Sequence, residues 1–128
     1  MPTCDGGPTL LTMPIVEVTV GSRVDESAIT RLRAVLPEAA SLAVECPEEP
    51  YDGELRPGDV EIRFRPMGPD DKSTLDVLVE VRSKWFASRA DNRQERTDRL
   101  CTALAEPLAG LRLGVFMTLP VAAWSQTG

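Results

Sequence analysis

Histidine is absent from all 128 residues. That one absence removes Ser-His-Asp triads, Cys-His dyads and histidine-based zinc sites together. Acid–base chemistry is left to carboxylates, Tyr51, a lysine, a thiol or a terminal amine. Cysteine is scarce too. Cys4, Cys46 and Cys101 are an odd number at wide spacing without a CxxC pair, which argues against a disulfide framework and for reduced thiols. Cations are outnumbered, 14 against 20 acidic residues for a net charge of −6, so a phosphate backbone is not the expected partner. Long apolar runs are missing: the longest mostly apolar stretch, 111–124, is short and broken by Gly114 and Pro120, too little to span a bilayer. The first twelve residues lack the basic start and apolar run of a signal peptide. A soluble, cytoplasmic protein with neither nucleic-acid nor membrane partner is expected.

What is present suits one domain. Apolar residues make up 42% and charged residues 27%, enough to bury a core in a chain of this length. Residues 1–12, with Gly6, Gly7 and two prolines, have no period and read as a tail; 13–121 reads as the domain and 122–128 as a short tail. In Pro14-Ile-Val-Glu-Val-Thr-Val20, Val16, Val18 and Val20 share one face of a strand. Ser22-Arg-Val-Asp25 resembles a capping box ahead of Ala28, Ile29, Leu32, Val35 and Leu36 at helical spacing. Pro37 predicts a bend or a restart of that helix, and Cys46-Pro47 its end. An acidic loop, 47–58, carries Glu48, Glu49, Asp52 and Glu54 and is most simply solvated.

Alternation then predicts strands at Val60-Glu-Ile-Arg-Phe-Arg65 and 75–82, a second helix over 90–108 on Leu100, Leu104 and Leu108, and a last strand at 111–119. The first half of the second helix, 91–99, is strongly polar and expected to lie exposed, while Cys101 falls among its core positions. The chain also resembles itself. Val16-Glu-Val18 followed by Ser22-Arg-Val-Asp25 recurs as Val79-Glu-Val81 followed by Ser88-Arg-Ala-Asp91, in each case a strand running into a capped helix start. The expectation is an α/β (α+β) fold of duplicated β-α-β units. It would have a four-stranded mixed sheet, parallel within each unit, and two helices on one face.

Two fold families share the order β-α-β-β-α-β: the ferredoxin-like split sandwich, as a ligand-binding or interaction domain, and the tautomerase superfamily. Met13-Pro-Ile-Val-Glu-Val-Thr-Val20, then Gly21-Ser-Arg and Asp25-Glu26, resembles the start of 4-oxalocrotonate tautomerase-type chains. Ser88-Arg, Asp91 and Arg93-Gln94 are similar to the second half of 5-carboxymethyl-2-hydroxymuconate isomerase. The resemblance covers residues 13–119 in layout and short motifs in sequence. It implies a cofactor-independent and metal-independent isomerase of the macrophage migration inhibitory factor-like kind, a homotrimer. An amino-terminal proline would move a proton in a small keto or enol acid.

By motif, Pro14 takes the place of the catalytic proline. Arg23 lies about one residue from the family's loop arginine, and Arg63 is the candidate carboxylate binder of the second strand, although the closest alignment puts Glu61 at that position. Trp85, within Lys84-Trp-Phe86, falls where a pocket wall is expected, with packing the heavier of its two readings; Trp124 either covers the same pocket or a neighbouring subunit. Thirteen residues precede Pro14, and while they remain attached its nitrogen is an amide without a basic lone pair. A catalytically inactive protein of the same fold is therefore the alternative to an isomerase.

Overall fold

The computed structural model describes residues 14–48, 60–125 and 127. The expectations for the tail at 1–12, for Met13, and for Glu49, Tyr51, Asp52 and Glu54 lie outside these residues. The described chain runs β1 (Ile15–Val20), α1 (Glu26–Val44), β2 (Glu61–Pro66), β3 (Val77–Arg82), α2 (Ala87–Asp91), α3 (Arg93–Ala105) and β4 (Leu113–Thr118).

The four strands form one sheet in the order β2-β1-β3-β4. β1 pairs with β2 in parallel and β3 with β4 in parallel, while the two central strands are antiparallel. Each β-α-β unit is thus a parallel pair, as the repeat predicted, and the fully antiparallel sheet of a ferredoxin-like sandwich is ruled out. The repeated tripeptides face each other across the centre: Val16 opposes Val81, Val18 opposes Val79 and Glu17 opposes Glu80. Two like charges placed directly opposite destabilise a sheet. Here Glu17 Oε1 is offset by Arg82 Nη2 at 3.4 Å and Arg65 Nη2 at 3.8 Å.

Period two sends Val16, Val18, Val77, Val79 and Val81 to the face that packs on the helices, where they join Leu32, Leu36, Leu100 and Leu104 in a single core. Burying each leucine side chain stabilises the fold by about 1.5–3 kcal/mol. Ile15, Glu17, Glu80 and Arg82 take the other face. Cys46 is buried, whereas Cys101 sits at the core's edge, half-exposed.

The helices depart from expectation in three places. Asp25, rather than Ser22, caps α1: its Oδ1 accepts from the Ala28 amide at 2.8 Å. Pro37 lies inside an unbroken α1, so no second helix starts there. The second helix is two pieces, α2 and α3, and Ser88 sits inside α2 instead of capping it.

The largest correction concerns the polar stretch before Leu100. Arg96 is only 8% exposed and Arg89 1%. Both guanidinium groups turn inward onto the end of α1. Arg89 Nε donates to the Val44 carbonyl at 2.7 Å; Arg96 Nη1 donates to the carbonyls of Ala43 at 3.0 Å and Glu45 at 2.6 Å. A helix leaves its last four carbonyls without partners and carries partial negative charge there, so two cations with rigid donor forks are a good match for it. Arg96 Nε is held in turn by Asn92 Oδ1 at 2.6 Å.

Among the described residues, no helix is long and apolar enough to cross a membrane. Replacing Arg96 with methionine, which keeps the volume and removes the donors, leaves two carbonyls unpaired. The expected loss is about 3 kcal/mol of unfolding free energy by urea denaturation. Asp25→Ala should cost about 1 kcal/mol by the same measurement.

Candidate active site

Pro14 leads into β1 and is buried. Its carbonyl is held by the Glu61 amide of β2 at 3.1 Å. The next residue, Ile15, stands opposite Arg82 in the β1–β3 register. Beyond Arg82 the chain continues to pair with the segment that follows β4. The Ser83 amide donates to the Thr118 carbonyl at 3.2 Å and the Trp85 amide to the Pro120 carbonyl at 2.9 Å. This zipper folds 120–124 across the end of β3, beside an open cavity of about 220 Å³.

Ile15, Pro120, Ala122, Ala123 and Trp124 give the cavity an apolar wall; Arg82, Ser83 and Lys84 complete its lining, Arg82 and Lys84 being its charged residues. Two cations beside apolar surface, in a space of that size, suit a small organic anion with a short apolar body. Arg82 also contacts Glu17, which fixes its direction without neutralising Lys84. The Lys84 carbonyl accepts from Arg89 Nη1 at 2.7 Å, and the Arg89 guanidinium lies 5.4 Å from the centre of the Phe86 ring. The buried arginine that closes α1 therefore also fixes the segment carrying the cavity's cations.

The four residues singled out from sequence are not gathered at one place in the chain's fold. Pro14 adjoins the cavity through Ile15. Arg23 is at the opposite end of β1, about 20 Å along the strand, with a side chain 67% exposed and Nη1 3.4 Å from Asp76 Oδ2. Arg63 opposes Glu17 on the helix-free face and does not line the cavity. Trp85 places its amide in the zipper and leaves its side chain 48% exposed, outside the cavity lining. Arg82 and Ser83 belong to no motif of the sequence, and Lys84 enters it only as a neighbour of Trp85. The alternation that put Val81 in the core also put Arg82 on the face of Ile15, so that signal was present.

No protein-family model and no curated protein sequence matches the chain. Solved structures do. Leishmania major MIF2 superposes with a TM-score of 0.57 at 18% identity, covering 91% of this chain and 97% of that one. The chain has the β-α-β fold of the tautomerases. A 5-carboxymethyl-2-hydroxymuconate isomerase from Deinococcus radiodurans R1 shares this tautomerase fold with a TM-score of 0.57 at 15% identity, over 93% and 92% of the two chains. A fused 4-OT, solved as a symmetric trimer, gives 0.55 at 12% identity over 83% and 85%. Likeness at these identities establishes the tautomerase architecture and nothing finer.

One carboxylate tethers the loop after α1 to the segment behind the cavity. Glu48 Oε2 accepts from Ser88 Oγ at 2.6 Å and from the Ser88 amide at 3.2 Å. The Ser88 hydroxyl, more than the amide or the nearby Arg89 charge, holds the Glu48 carboxyl below its ordinary 4.5. A depressed carboxylate contributes its stabilisation fully above the unfolded value, about pH 4.5, and loses it as pH falls through the lower folded value. Carbon-detected NMR should find Glu48 titrating below 4.5, and Ser88→Ala should return it most of the way.

Proposed function

We propose that this protein is a cofactor-independent isomerase of small keto or enol carboxylates, with Pro14 as its base once that residue leads the chain. The observation that carries this reading is that Pro14 opens the strand whose first residue walls a cavity bearing Arg82 and Lys84. Every strand and helix of the described fold lies within residues 15–118, so a chain led by Pro14 keeps all of them.

An α-amino group starts near pKa ~8. Neighbouring cations and partial burial both disfavour its ammonium form, which brings a usable lone pair toward neutral pH. That lone pair takes a proton from one substrate carbon, and the resulting ammonium returns it to another. Arg82 and Lys84 bind the substrate carboxylate and stabilise the negative charge that develops on the enolate oxygen.

Arg23 and Arg63, remote from the cavity in one protomer, reach such a site only from another copy. A trimer like that of the fused 4-OT neighbour supplies such copies, and Trp85 is then an exposed surface for the contact. With residues 1–13 attached, the Pro14 nitrogen lacks a lone pair. The same cavity then belongs to a carboxylate-binding protein without turnover.

Phenylenolpyruvate and 2-hydroxymuconate test the proposal in proteins beginning at Met1 and at Pro14, each verified by intact mass. Turnover is expected only where Pro14 leads, and Pro14→Ala in that form should lower kcat/KM by about 100-fold or more. Equal turnover by the intact long form would remove Pro14 from the chemistry.

A further inference from the structure

Ser83 is 4% exposed, and its Oγ is fully buried without a hydrogen-bond partner among the described residues. A buried hydroxyl left unpaired costs stability, so its environment calls for explanation. Ile15 opposes Arg82 in the antiparallel register of β1 and β3; one step further along both strands, Pro14 stands opposite Ser83. The alternation that buries Val16 and Val81 puts both residues on the core side, and both are buried. Directly opposed residues in an antiparallel pair hold their Cβ atoms about 5 Å apart, within reach of a short side chain.

We infer that Ser83 is the positioning residue for the Pro14 amine, its Oγ accepting an N–H from that nitrogen and turning the lone pair toward the cavity. The inference rests on the reading of Pro14 as a releasable base. Joined to Met13, the proline nitrogen has neither proton nor lone pair and cannot answer the hydroxyl. Freed, it gains an N–H, and Ser83 gains a partner.

A neutral secondary amine has one hydrogen and one lone pair. Giving the hydrogen to Ser83 leaves the lone pair for the substrate carbon. In the ammonium form one hydrogen stays on Ser83, and the other is the proton in transit. Because the hydroxyl bonds to the charged form in this arrangement, it raises the amine's pKa against the lowering effect of the cations. The charged groups nearest this end of the sheet are Arg82 at the end of β3, Lys84 just beyond it, Glu61 at the start of β2, and Glu17 on β1, which is engaged by Arg82 and Arg65.

Ser83→Ala separates this role from packing, because its effect should reverse between the two forms of the chain. In the full chain, removal of an unpaired hydroxyl should raise the urea midpoint or leave it unchanged. In the Pro14-led chain, kcat should fall about tenfold with KM within about twofold. The acid limb of the kcat/KM profile should move to lower pH, and Ser83→Thr should restore both.

The ¹⁵N resonance of labelled Pro14 reports the same titration whether or not either substrate turns over. If the Pro14-led protein is inactive while Ser83→Ala still lowers the Pro14 pKa, the proposed function fails and the pairing stands. If the Pro14 titration is the same with serine or alanine at 83, the pairing is wrong even in an active enzyme.

Discussion

The carboxyl end of α1 is closed by two guanidinium groups that come from a different part of the chain, and much of the molecule is arranged around that contact. Arg89 and Arg96 together donate to the carbonyls of Ala43, Val44 and Glu45. Burying a cation normally requires a carboxylate beside it. Here main-chain carbonyls and the Asn92 amide oxygen, at the negative end of a helix dipole, accept from the two guanidinium groups, with the Glu48 carboxylate near Arg89. This ties the first β-α-β unit to the second at a point where hydrophobic packing alone would leave helix-end carbonyls dry and unpaired. The break between α2 and α3 at Asn92 belongs to the same arrangement, since Asn92 holds Arg96 from one side.

The same tetrad of residue types has two fates in the two units. Ser22-Arg-Val-Asp25 lies in an open turn. Its exposed arginine reaches the largely buried Asp76, and its aspartate caps α1. Ser88-Arg-Ala-Asp91 has become helix; its arginine is interior and its serine is bound by Glu48. The sheet has near-equal halves, with Val16-Glu-Val18 lying against Val79-Glu-Val81. The connections differ between the halves, and the cavity lies at the end of the sheet beside Pro14.

The strands were legible because valine at every second position has one physical meaning: one face buried and one not. Leu32, Leu36, Leu100 and Leu104 marked the core sides of the helices by the same logic with a longer period. Parallel pairing within each unit followed from the repeat. Arg96 was misread because arginine is usually a surface residue, and a local pattern does not show which distant carbonyls will meet it. Ser22 and Asp25 both offer a cap in the sequence, since hydroxyl and carboxylate compete for that role, and only backbone geometry decides for Asp25. In the site, Pro14 was visible as a motif and Arg82 only through alternation. Ser83 gains meaning from the residue across the sheet, which requires the register and not merely the strands.

Arg89 touches two things at once: the last turn of a long helix and the main chain that carries Lys84. Because a guanidinium is flat and stiff, a displacement at one end is handed to the other with little slack. The cavity wall that carries Lys84 therefore inherits the rigidity of a nineteen-residue rod instead of the looseness usual for a connection between strand and helix. A pocket framed this way meets its ligand already shaped, and little ordering is left to be done at the moment of contact.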